Sequence, residues 1–142
     1  LGRTGALDEK VNAEANWNYV AQQTADWNEE TAKTIVQTVI DSKKPFNVIY
    51  AENNGMARGA AAALDGDVII MGFDSDKWAF EEVLAGRWNY MGLCNPLQAE
   101  TVDQIIKDLI NGKEPSQKIT YTPEQGFDCD TLTQADVDKY GT

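Results

Sequence analysis

Val48-Ile49-Tyr50 and Val68-Ile69-Ile70 are two uninterrupted apolar runs joined by an alanine-rich stretch, and this pairing narrows the fold more than any other feature. A strand with one solvated face alternates apolar and polar residues, whereas a strand covered on both faces is apolar throughout. Two such strands linked by a helix form a right-handed crossover, so they run parallel and present both carboxyl ends on one edge. Asn53 and Asp74 stand at those ends. Open parallel sheets take their ligands along that edge. An amide and a carboxylate there suit a molecule covered in hydroxyl groups.

The alternation of strand and helix extends both ways from this unit. Residues 4–13 read as a short helix and Asn18 to Gln23 as a strand. Asn28 can cap the next helix, with Glu29 and Glu30 at its positive end and Ala32, Ile35, Val36, Val39 and Ile40 on one face. Lys43-Lys44-Pro45 stops it. Strands are expected at Phe46–Ala51, Asp67–Met71 and Asn89–Leu93, separated by a helix at 54–64 and a second one capped by Ser75 and closed by Gly86. Val102, Ile105, Ile106, Leu109 and Ile110 mark an amphipathic helix over 97–111. A last strand at Lys118–Thr122 and a helical turn near Thr133–Tyr140 complete the chain. The pattern predicts an α/β fold with a doubly wound, mostly parallel sheet.

Function classes fall away on composition and motif. Acidic residues outnumber basic ones by 23 to 12, for a net charge of −11, which disfavours nucleic acid and anionic membrane surfaces as partners. The chain has no histidine, which removes the commonest general base and metal ligand. It has no G-x-S-x-G, no G-x-G-x-x-G and no metal-ligand spacing, so neither an enzyme nor a resident cofactor or metal is expected. A phosphate-transfer receiver domain would need clustered aspartates after its first strand and a lysine after its fifth, and neither is present. Cys94 and Cys129 are too few for a disulfide scaffold and too far apart for a zinc motif.

Ala51-Glu52-Asn53-Asn54-Gly55-Met56-Ala57-Arg58-Gly59-Ala60 together with Gly72-Phe73-Asp74 resembles the second lobe of type I sugar-binding proteins, the solute receptors of bacterial ABC transporters. In that family one strand ends in A-x-N-[DN]-x-M-A-x-G-A and the next in G-F-D or G-I-D. Ala25-Asp26-Trp27-Asn28 and Cys94-Asn95-Pro96 extend the match, and the wording is most like the galactofuranose-receptor branch. The resemblance spans essentially the whole chain but only about half of a receptor.

The resemblance implies a non-catalytic sugar-binding lobe with a monosaccharide ligand (a pentose, hexose or furanose form) and a transporter permease as partner. It implies an extracytoplasmic location, in the periplasm or as a cell-surface lipoprotein, so the absence of a signal segment would mean a mature or trimmed chain. Asp74 and Asn53 would bind hydroxyls, Trp27 would stack on the sugar's C–H face, and Arg3 would donate a planar fork. Where the family often carries Gln or Glu this chain has Cys94, which shifts the polar contact to Asn95. For Asn53 a second role stays open, that of helix cap, which Asn54 could fill instead. Trp17, Trp78 and Trp88 are expected in packing roles.

The same resemblance divides the chain into a sugar-binding lobe at 1–96, a hinge-crossing helix segment at 97–117 belonging to the first lobe, and a returning strand and tail at 118–142. In an isolated lobe the uncovered helix face at Val102–Ile110 would invite homodimerisation. The buried strand with which the family's lobe begins would end where Leu1-Gly2 stands, and the Asp65-Gly66 turn is shorter than the usual family loop. The competing function is the ligand-sensing core of a sugar-responsive repressor, which shares the fold but needs an amino-terminal helix-turn-helix.

Overall fold

The computed structural model describes residues 2–115 and 117–142. Ser116, near which the chain was expected to return from the first lobe, lies outside them. Helix α1 spans Gly2–Ala13 and α2 spans Glu29–Asp41, followed by β1 at Val48–Tyr50 and α3 at Asn54–Ala61. Then come β2 at Ile69–Asp74, α4 at Lys77–Leu84, β3 at Tyr90–Leu93, α5 at Ala99–Ile110, β4 at Gly126–Asp128 and α6 at Gln134–Tyr140. Among the described residues the strands form one sheet in the order β1-β2-β3-β4.

The crossover around α3 forms as the apolar runs require: β1 pairs parallel with β2, Tyr50 opposite Met71. β2 pairs parallel with β3, Asp74 opposite Leu93. Glycine permits the packing above this ladder. A Cβ at Gly92 would stand 2.4 Å from the Phe73 ring, so that ring can lie over β3 only because position 92 has no side chain.

The core gathers on the β2–β3 side. Phe80, Val83, Trp88, Met91, Phe127 and Val137 are buried, and Trp78 packs edge-on against Trp88 with ring centroids 5.7 Å apart. Trp17 departs from its expected packing role: it is half exposed, in the connection between α1 and α2.

Two expected strands are corrected. Residues 18–23 form no strand and join no ladder. A cavity of about 920 Å³ lies against this segment and β1, lined also by Leu7 and Val11 of α1 and Ile35, Val36 and Val39 of α2. A strand exists only through a ladder, and here the neighbouring edge is out of reach. The same gap explains why the predicted apolar face of α2 buries only Ala32 fully.

The last strand forms at Gly126–Asp128 rather than Lys118–Thr122. Phe127 is buried in the core, while Ile119 and Tyr121 are exposed, so burial of one aromatic decided against the alternating segment. β4 is antiparallel to β3, with Tyr90 opposite Asp128. Cys94 and Cys129 therefore follow opposite ends of the pairing, on the order of 15 Å apart by strand rise, and both are free thiols.

Helix ends follow local chemistry. The Asn28 side chain accepts from Thr31 N–H as expected, and Thr133 and Asp136 form a capping box that starts α6. Ser75 is not the cap of α4: Asp76 holds that position, and the Ser75 backbone carbonyl accepts from Thr142 N–H at 2.9 Å instead. This bond brings the carboxyl-terminal residues onto the start of α4.

Candidate functional site

Asp74 is the last residue of β2, and its backbone is in the left-handed half of conformational space, with φ 109°. A non-glycine residue there is uncommon, and such strain persists where surrounding contacts over-determine it. Arg3 supplies the main contact, its Nη2 donating to Asp74 Oδ1 at 2.9 Å. The guanidinium also donates to the backbone carbonyl of Glu52 and lies over the Phe73 ring, 4.9 Å from its centroid. Phe73 in turn meets Tyr50 edge-on at 5.1 Å.

Burial pushes the Asp74 carboxyl above its ordinary range, against the pull of the Arg3 hydrogen bond and charge and of the Asn54 backbone N–H. The nearby Asp76 carboxylate adds to the upward push. The Asp74 side chain retains 36% exposure, so acceptor positions remain open on a carboxylate already held by Arg3.

Asn53 is the cap of α3: its Oδ1 accepts from Met56 N–H at 2.7 Å. The amide N–H groups are not used by that bond and remain as donors on the same rim. Asn54 is fully buried and donates to Asp76 Oδ2 at 2.9 Å, so it braces the two helix starts instead of capping one. Its Oδ1 has no hydrogen-bond partner among the described residues.

Trp27 follows Asp26 in a turn where both residues have positive φ, 48° and 61°. That turn leaves the indole 65% exposed, a large apolar face offered to solvent just ahead of α2. It borders the same cavity as Thr4 and Glu52.

Asn95, which follows β3, is committed to the backbone. Its Nδ2 donates to the Pro123 carbonyl at 2.8 Å and its Oδ1 accepts from Leu97 N–H at 2.9 Å, tying together the segments that leave and re-enter the sheet. Cys94 lies closer to the pair, its backbone N–H donating to the Asp74 carbonyl at 3.2 Å. Burial, followed by the Glu124 charge, pushes its thiol up. The structure thus joins Arg3 and Asp74 directly, places Asn53 in the chain between Glu52, which holds Arg3, and Asn54, whose backbone N–H faces Asp74, and gives Asn95 a bracing role.

Glu52 is the site residue that sequence reasoning passed over. Its Oε1 accepts from Thr4 Oγ1 at 2.5 Å, while its carbonyl holds Arg3. It lay in view inside the Ala51–Ala60 motif, but only tertiary contact gives it a task. Among the described residues no group of three His, Cys, Asp or Glu could hold a metal ion, and no helix is long and apolar enough to cross a membrane.

This arrangement, a mostly parallel sheet with a paired carboxylate and an amide at its carboxyl rim and an exposed indole nearby, is one lobe of the type I periplasmic-binding fold. The chain belongs to the periplasmic binding protein domain family, whose profile matches residues 3–114. It is 31% identical over 112 residues to a fructose import binding protein of Bifidobacterium longum, covering 74% of this chain and 34% of that protein. It is 26% identical over 146 residues to a D-apiose import binding protein of Paraburkholderia graminis, covering 96% of this chain and 44% of that one. The chain therefore spans between a third and a half of the length of these relatives.

Solved structures agree on the fold. A galactofuranose binding protein superposes with a TM-score of 0.80 at 20% identity, over 96% of this chain and 49% of that one. The periplasmic component of the arabinose ABC transporter from Shewanella sp. ANA-3, bound to L-arabinofuranose, gives 0.83 at 18% identity, over 96% and 48%.

Proposed function

We propose that this chain is the second, sugar-binding lobe of a non-catalytic solute receptor that delivers a monosaccharide to an ABC transporter permease outside the cytoplasm. The observation that carries the reading is the Arg3–Asp74 pair at the end of β2, with Asp74 in a left-handed backbone conformation. A half-exposed carboxylate with one flank held by a guanidinium accepts hydrogen bonds from vicinal hydroxyls without leaving a bare buried charge. Asn53 adds amide donors to that rim and Trp27 an exposed apolar face for sugar C–H groups. The named relatives are import binding proteins for fructose and D-apiose, and a solved neighbour is bound to L-arabinofuranose, which supports a monosaccharide as the ligand here.

In this reading α5 leaves the lobe after Pro96 and packs in the first lobe. Its support is the exposed face of that helix, on which Val102, Ile106 and Leu109 are half exposed and Ile110 is 79% exposed. Without the first lobe that face is where two copies would meet.

Calorimetry on the two-lobe receptor with D-fructose, D-apiose and D-ribose tests the site. Asp74→Ala is expected to weaken the preferred sugar by roughly 1.5–3 kcal/mol, the worth of a charge-assisted hydrogen bond. Unchanged affinity in a folded variant would remove Asp74 from the site. The 142-residue chain alone covers one face of a sugar, so it is expected to bind far more weakly than the receptor.

A further inference from the structure

Three tethers fasten the first turn of α1 to the carboxyl end of β1. Thr4 Oγ1 donates to Glu52 Oε1 at 2.5 Å, the Tyr50 hydroxyl donates to the Arg3 carbonyl at 3.1 Å, and the Arg3 guanidinium donates to the Glu52 carbonyl. Helix α1 has no fully buried residue of its own, so these bonds rather than core packing fix where its first turn sits. A carboxylate beside that turn is also favoured by the positive end of the helix. Glu52 contributes to two of the three tethers, yet it makes no bond to Asp74.

We propose that Glu52 is a positioning residue: its side chain, through Thr4, and its backbone carbonyl together fix the start of α1 so that the Arg3 guanidinium is delivered to Asp74. The proposal rests on the reading of Asp74 as the sugar's acceptor. It adds that the state of this acceptor is set from the neighbouring strand, by a residue that the sugar does not touch.

The test is the titration of the Asp74 carboxyl carbon by NMR, in the 142-residue chain with no sugar present. The groups facing Asp74 are the Arg3 guanidinium, the Asn54 backbone N–H, the Asp76 carboxylate and, just past the end of β3, the Cys94 thiol. Withdrawing Arg3 removes a pull toward the ionised form, so Arg3→Ala moves the midpoint up. Deleting a neighbouring negative charge moves it down. The two possible roles of Glu52 therefore have opposite signs.

Glu52→Ala is expected to raise the Asp74 midpoint, in the direction of Arg3→Ala. Thr4→Val changes no charge and is expected to raise it as well. Glu52→Gln keeps an acceptor for Thr4 while deleting the same charge as Glu52→Ala, so it is expected not to raise the midpoint. A midpoint that falls in Glu52→Ala and stays still in Thr4→Val would overturn the proposal and leave Glu52 as a nearby charge only. Because no sugar enters this measurement, its failure is separate from a failure of the sugar reading, which calorimetry on Asp74→Ala decides.

Discussion

Gly59 of α3 lies directly on the backbone of Glu29 at the start of α2: a Cβ placed at 59 would stand 2.0 Å from the Glu29 carbonyl oxygen. Backbone against backbone leaves no rotamer that relieves the clash. Gly59→Ala gains helix propensity of about 1 kcal/mol in isolation, but here the helices must separate. A net loss of about 2–4 kcal/mol is expected, read as a lower denaturation midpoint with unchanged slope. A variant as stable as the parent would show that α2 and α3 do not pack this closely.

The same helix pair is clasped at its surface by Arg58, which donates to both Glu29 carboxylate oxygens and lies over Trp78, 4.3 Å from the ring centroid. The Arg58 hydrogen bonds hold Glu29 below its ordinary range. A carboxyl depressed on folding adds stability that is present above its unfolded value and is lost as pH falls through the folded one. Arg58→Ala is therefore expected to cost up to about 1 kcal/mol near neutral pH, discounted for an exposed pair. The part due to the ion pair should vanish on acidification below the glutamate range, and the part due to ring contact should remain. Urea melts of both chains at neutral and acidic pH separate the two parts.

Phe127 anchors β4. It is 5% exposed and packs edge-on against Phe80 at 5.8 Å, with Tyr140 at 6.0 Å. Phe127→Ala is expected to cost about 3–5 kcal/mol, and Tyr121→Ala, at a site 83% exposed, within about 0.5 kcal/mol. Thermal melts showing the reverse order would restore the strand to the Lys118–Thr122 segment.

What the sequence disclosed followed from its most local physics. The apolar runs gave β1, β2 and their crossover, and the cap at Asn28 gave a helix start, because each depends on neighbours only a few residues away. Residues 18–23 misled because a strand depends on a partner that the local pattern does not carry. β4 was missed because three residues with one inward Phe127 make no periodic signal, whereas Ile119 and Tyr121 alternate without burying anything. At the site, Asp74 and Asn53 were legible from their place after apolar runs, and Arg3 from the family resemblance alone. The cap assignment to Asn53, the bracing role of Asn95 and the tether through Glu52 needed contacts between residues far apart in the chain, such as the 48-residue separation of Thr4 and Glu52.

The cavity beside β1 yields the prediction with the widest reach. Its walls include apolar side chains from α1 and α2, the edge of β1 at Val48–Tyr50 and residues 18–25. β2 and β3 are paired on both sides, whereas β1 is an edge strand with no partner on this side among the described residues. A strand laid parallel to β1 ends at the carboxyl rim, and Arg3 shows that α1 also begins at that rim. Six apolar β-branched residues added in frame ahead of Leu1 therefore run along β1 and connect to α1 without crossing the sheet. Buried apolar side chains contribute about 1.5–3 kcal/mol each, offset by about 1.5 kcal/mol of ordering entropy per residue. The net gain expected is about 2–4 kcal/mol, a rise in Tm of roughly 5–10 °C. The same extension with Pro at its two central positions cannot pair and is expected to melt with the parent chain. Residues 18–23 should gain amide-exchange protection only in the pairing version, as the added strand gives them the ladder they now lack. An apolar extension that leaves both Tm and that protection unchanged would show that the cavity walls do not accept a strand.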